Sequence, residues 1–174
     1  MYEEIYQQMF GRGHMSGVER DNKRIRQYAE HFTPTDLAFE SLDKAPQLSQ
    51  PGEIVLDPFA GDFTLLCCVI WRKLQNGVNH QQALQEIRSG EWHIDNCLIG
   101  IERLYGRGEV RVLQGDQIPK HMKADGLKAC FTHNDRLLEN HVACDSDRYD
   151  FSFGKSIIFG QNLIEILAPP NINQ

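Results

Sequence analysis

The sequence predicts an α/β protein built on a three-layer open sheet, with the C-terminal half of that fold cut short. Three observations lead there. The apolar run Ile54-Val55-Leu56 ends in an acid and a small-residue turn, Asp57-Pro58-Phe59-Ala60-Gly61. An apolar helix pattern starts immediately afterwards, at Phe63. A buried strand that turns sharply into a helix is how open α/β sheets build ligand sites at their carboxyl edge. Two further apolar runs, Cys97-Leu98-Ile99-Gly100-Ile101-Glu102 and His141-Val142-Ala143-Cys144-Asp145, also end in acids. Strand ends of a doubly wound sheet lie side by side, so Asp57, Glu102 and Asp145 are expected along one edge.

Taken in chain order, the first 30 residues are polar and broken by Gly11, Gly13 and Gly17, and a basic stretch carries Arg20, Lys23, Arg24 and Arg26. A helix is expected after His31-Phe32, with Thr33 as N-cap, Pro34 in the first position and Asp36 at the positive helix end. Pro51-Gly52 is a turn leading into the strand that ends at Asp57. Residues 63 to 74 read as a helix apolar nearly all round, hence buried. A polar helix over 81 to 87 closes at Ser89-Gly90, and Glu109 to Leu113 alternates like an exposed strand. Ile157-Ile158-Phe159 and residues 163 to 167 are further strand candidates. The organisation expected is a helical cap over residues 1–50, covering the ligand edge, and an α/β core over 51–174, together one domain.

Bulk composition narrows the function. A chain of 174 residues, 41% hydrophobic and 24% charged, suits a single globular domain with a real core. A net charge of −6 argues against binding nucleic acid by bulk electrostatics, though not against a local basic face. Five cysteines among apolar residues point to reduced thiols in a cytoplasmic protein. No apolar run approaches a membrane span, and Met-Tyr-Glu-Glu is no signal peptide, so no membrane association is expected.

Ile54 to Gly61 closely resembles the first motif of class I S-adenosylmethionine-dependent methyltransferases, in the variant of DNA adenine amino-methyltransferases. Phe32-Thr33-Pro34 before a helix resembles the upstream motif of the same family. The resemblance spans roughly residues 30 to 150 and implies a Rossmann-like fold with S-adenosylmethionine as cofactor. It assigns Phe32 and Thr33 to the methionine part, Asp57, Phe59 and Gly61 to the turn, Glu102 to the ribose hydroxyls and Asp145 to the adenine amino group. Asp116 competes with Asp145, but it follows Glu102 too closely for a helix and a strand to intervene.

Two departures matter. The family motif ends Gly-Ser-Gly where this chain has Gly61-Asp62-Phe63, and Asp62 would repel the cofactor carboxylate unless it caps the helix start. The family also carries an amide or carboxylate, two prolines and an aromatic to hold the flipped adenine. Here the only Pro-Pro is Ala168-Pro169-Pro170-Asn171, which leaves Pro169, Pro170 and Asn171 as the sole candidates beside the reacting base. The expected function is methyl transfer to adenine in DNA. Its alternative is a binding or decoy protein, or a partner-dependent subunit, that keeps the cofactor half alone.

Residues 103 to 128 hold six bases (Arg103, Arg107, Arg111, Lys120, Lys123, Lys128) and three acids, which suits a DNA-facing surface as well as a solvated one. Tyr149, between charged neighbours, is expected to be exposed and able to stack on a base. A protein partner or a homo-oligomer is compatible with the short chain. Cys130, His133, His141 and Cys144 could bind zinc tetrahedrally, but thiols in a strand pack as small hydrophobes, and no metal site is expected.

Overall fold

The structure, a computed structural model, describes residues 2–11, 23 and 32–151. Within them the chain forms α1 (Tyr2–Phe10), α2 (Thr35–Asp43), β1 (Val55–Asp57), α3 (Thr64–Gln75) and α4 (His80–Gln85). It continues through β2 (Ile87–Glu91), α5 (Ile94–Tyr105), β3 (Val110–Leu113), β4 (Leu127–His133) and β5 (Arg136–Cys144). The sheet has five strands in the order β1-β2-β5-β4-β3. β1, β2 and β5 run parallel, with Asp57 beside Ser89 and Ser89 beside His141, whereas β4 is antiparallel to both β5 and β3. The protein is therefore α/β with a mixed sheet.

Strand order explains where the helices lie. The crossovers from β1 to β2 and, through α5, from β2 to β3 advance in the same direction across the sheet. Right-handed crossovers then put their helices on one face. Met9 of α1, Ala38 and Leu42 of α2, Leu66 and Ile70 of α3, Ala83 of α4, and Ile101 and Leu104 of α5 all join one core cluster on that face. The other face carries a smaller cluster: Leu56, Ile118, Met122, Cys130, Val142, Cys144 and Phe151, with Tyr149 packed against it. A second helical layer forms only where strand order reverses. β1 has one neighbour, and no described residue reverses the order, so the described part has two layers where three were expected.

Local chemistry fixes the elements. Asn79 caps α4 by accepting from the Gln82 N–H at 2.9 Å. Lys73, wholly buried, donates from Nζ to the Gln50 and Glu53 carbonyls and to Glu86 Oε2 at 2.6 Å, pinning the end of α3 to the start of β1. α1 and α2 share the main core through Met9, Ala38 and Leu42. Gln8 of α1 donates to the Arg103 and Leu104 carbonyls near the end of α5.

Cys97 to Glu102, read as a strand, lies inside α5. Its buried positions Cys97, Ile101 and Leu104 follow a helical period, while Leu98 and Ile99 are only half-buried. Residues 87 to 91, read as the end of a helix, form β2. Gly90 belongs there because a Cβ would lie 2.5 Å from the Phe151 ring. β4 was not anticipated, and β5 is longer than the strand read at His141. Tyr149 is half-buried, edge-on to Phe151 at 4.8 Å, rather than exposed. The strand candidates after residue 156 and the basic stretch around Arg24 lie outside the described residues.

Candidate functional site at the carboxyl edge

Because β1, β2 and β5 are parallel, their carboxyl ends meet at one edge, where three acids stand: Asp57, Glu91 and Asp145. Glu102 is not among them. It sits in the third turn of α5, which leads away from this edge at about 1.5 Å per residue. The acid at the second strand end is Glu91.

The turn after β1 is built by hydrogen bonds from its neighbours. The Phe59 N–H donates to Asp57 Oδ1 at 3.1 Å, and the Ala60 N–H to the Gly90 carbonyl at 2.9 Å. The Gly61 N–H donates to Glu91 Oε2 at 2.8 Å. Glu91 Oε1 accepts from the His93 N–H at 2.9 Å and from Asn96 Nδ2 at 3.2 Å. A carboxylate offers about four lone-pair sites, so these three donors leave one for a ligand. Gly61 adopts φ +54°, and a Cβ there would meet the Phe32 ring at 3.3 Å. The ring of Phe32 thus lies over the glycine of the turn, bringing together the two sequence motifs. Thr33 beside it is exposed; it does not cap α2, whose N-cap position is Pro34.

Asp145 follows β5 directly and accepts from the Asp147 N–H at 3.2 Å, while Ser146 Oγ donates to the Pro58 carbonyl and ties this segment to the β1 turn. Asp116 follows β3 at the far side of the sheet, exposed, with Lys123 at 3.7 Å. Phe59 and Trp92 are exposed at 69% and 43%, and both flank the edge, following β1 and β2. Lys128 Nζ lies 4.2 Å from the centre of the Trp92 ring.

Electrostatics single out Asp57. Burial raises its pKa to about 6, the Phe59 N–H pulls it down, and the Glu91 carboxylate adds to the rise. Asp62 behaves differently. It is buried, its Oδ1 accepts from the Thr64 N–H at 3.2 Å and Thr64 Oγ1 at 2.8 Å, and its Oδ2 lies 3.0 Å from Arg103 Nη1. Asp62 thus holds the first residue of α3, whose N-cap is Phe63, and its charge is paired with Arg103 inside the protein. Phe63 follows at φ 66° with its ring turned into the core, against His141 and under Gly100.

The basic region loses its first member by the same contact, since Arg103 is buried. Arg111 pairs with Glu109 and Asp135, which further thins any cationic face. Cys130 and Cys144 lie in the smaller core cluster, whereas His141 faces the other side of the sheet and bonds Ser89 at 2.7 Å. Among the described residues no group of three or more His, Cys, Asp or Glu side chains could hold a metal ion, and no helix is long and apolar enough to cross a membrane. Pro169, Pro170 and Asn171 lie outside the described residues.

Glu91 escaped the sequence reading because Ile87-Arg88-Ser89-Gly90 lacks the β-branched run that marks a buried strand. The usable signal was downstream. Asp95 in a first turn, followed by Cys97, Ile101 and Leu104 at helical spacing, marks a helix start that leaves Glu91 at the strand end before it. No protein-family model, no curated protein and no solved structure matches this chain.

Proposed function

We propose that the carboxyl edge binds S-adenosylmethionine and that the protein transfers its methyl group to an adenine amino group in DNA. The observation that carries this reading is the Asp57–Gly61 turn at the end of β1, covered by the Phe32 ring and pinned by the acid that ends β2. Strand order supports it. The parallel run β1-β2-β5 is compatible with the 3-2-1 half of a doubly wound sheet, and ligands of open α/β sheets bind outside the carboxyl ends of the strands. The inward turn of Asp62 supports it as well, because the carboxylate that would repel the cofactor faces Arg103.

In this reading Phe32 and Thr33 flank the methionine part. Asp57 takes its ammonium, Glu91 in place of Glu102 accepts from one ribose hydroxyl, and Asp145 accepts from the adenine amino group. Phe59 and Trp92 supply exposed aromatic surface against the adenine or the target base. The bound sulfonium is a strong methyl donor, so the protein's part is to align the acceptor nitrogen and keep water out. Pro169, Pro170 and Asn171 are the chain's candidates for that alignment.

Isothermal titration with S-adenosylmethionine, followed by tritium transfer onto unmethylated DNA, tests both halves. Glu91→Gln removes a charge-assisted hydrogen bond of about 1.5–3 kcal/mol, so cofactor affinity should fall by on the order of 10- to 150-fold. Glu102→Gln should bind like the parent. Equal binding by parent and Glu91→Gln rejects the assignment. A second reading, a cofactor-binding protein without transfer activity, is favoured by Ala168, which cannot accept from an amino group. Binding without tritium transfer to any DNA selects it.

A further inference from the structure

A cavity of about 570 Å³ lies at the opposite edge of the sheet, at the amino ends of β2 and β5, away from all three acids. Leu84, Arg88, Tyr105, Arg136 and Leu137 are among its walls. We propose that this cleft is a second ligand site, built for a nucleoside monophosphate, with the phosphate between Arg88 and Arg136 and the ring system against Tyr105 and Leu84.

Size is the first argument, since small-molecule sites span roughly 300–1,000 Å³. Charge is the second. The acid in the lining, Glu139, is held by His121 at 2.6 Å. No ion pair among the described residues takes up Arg88 or Arg136. Two guanidinium groups in one cleft, in a chain of net charge −6, call for an anion whose oxygens match their planar forks.

Preorganisation is the third argument. Arg88 Nη1 donates to the Gln85 and Ile87 carbonyls at 2.6 and 2.7 Å, which fixes the side chain and leaves the Nε and Nη2 donors uncommitted. Tyr105 is fixed too. Its hydroxyl hydrogen-bonds His141 Nε2 at 2.9 Å, and His141 Nδ1 in turn bonds Ser89 Oγ at 2.7 Å. A rigid aromatic wall on the same face as Leu84 suits a flat ring rather than a bare phosphate. Gln81 and Gln85 line the same cleft and are exposed, so their amides are available to the edge of a base.

The test is isothermal titration of the full chain at 0.15 M salt with thymidine 5′-monophosphate, thymidine and inorganic phosphate. The nucleotide should bind with one-to-one stoichiometry, at least tenfold tighter than thymidine or phosphate. Arg88→Gln and Arg136→Gln should each weaken it at least tenfold, and Glu91→Gln should leave it unchanged. No binding of the nucleotide overturns the proposal, as does affinity no better than that for phosphate, or loss of binding in Glu91→Gln. If Arg88→Gln fails to fold, Arg136→Gln decides alone, because its exposed side chain holds no described carbonyl. Parent-like binding by Arg136→Gln then rejects the site.

Discussion

Asp57 is held where its charge is costly. Free carboxyls of this type titrate near 3.8, and burial beside Glu91 moves this one to about 6. The folded value lies above the unfolded one, so protonation favours the fold. That contribution is complete below about pH 4 and is lost as pH rises through about 6. Asp57→Asn keeps the shape and can still accept from the Phe59 N–H, but it has no charge to desolvate. Its melting temperature should exceed the parent's at pH 7–8 and converge with it near pH 4. His141, whose pKa burial lowers to about 3, works in the opposite sense and loses its contribution as pH falls below 6.5. It is common to both proteins and cancels in the difference. Parallel melting curves from pH 4 to 8 would show that Asp57 carries no such burden.

At the scale of elements, α3 and α5 are fitted together through one glycine. A Cβ on Gly100 would stand 2.2 Å from Cγ of Phe63, whose ring fills that place in the core. Alanine is better than glycine by about 1 kcal/mol in an open helix, so the sign of the effect discriminates. Gly100→Ala should destabilise the protein by roughly 1–3 kcal/mol in urea unfolding, because overpacking outweighs propensity. A stabilised variant would mean that the ring does not occupy that space. The same contact shows what was legible in the sequence. β1, the turn after it and α3 were readable, because Val55 and Leu56 run into a proline-glycine turn and then a helical period. α5 was not, because Cys97-Leu98-Ile99 satisfies a strand pattern until Leu104 and buried Arg103 are counted. Arg103 looks like surface charge until Asp62 is seen 3.0 Å away. No local rule supplies a partner 41 residues earlier in the chain.

Across the whole molecule, the two edges of the sheet divide the chemistry. Acids and exposed aromatics stand at the carboxyl ends, and the cleft with two arginines stands at the amino ends. The strands that connect them differ in support. β2, β5 and β4 are hydrogen-bonded on both sides, whereas β1 and β3 have a single partner among the described residues. Amides of β5 and β2 should therefore exchange hydrogen only through global unfolding, while those of β3 exchange through local opening. The order of strands was out of reach of the sequence, since pairing β2 with β5 passes over the hairpin partner β4. Ligand binding should redraw this pattern at one edge. A ligand that binds only the folded protein stabilises it by about 2.7 kcal/mol when present at one hundred times its Kd. Exchange of the sites it orders is slowed most. Saturating S-adenosylmethionine should slow amide exchange at residues 57 to 61 and 90 to 93 and leave the hairpin turn at Asn134-Asp135 unaffected. Slowing confined to residues 84 to 88 and 136 to 140 would instead put the cofactor in the amino-edge cleft and overturn the carboxyl-edge reading.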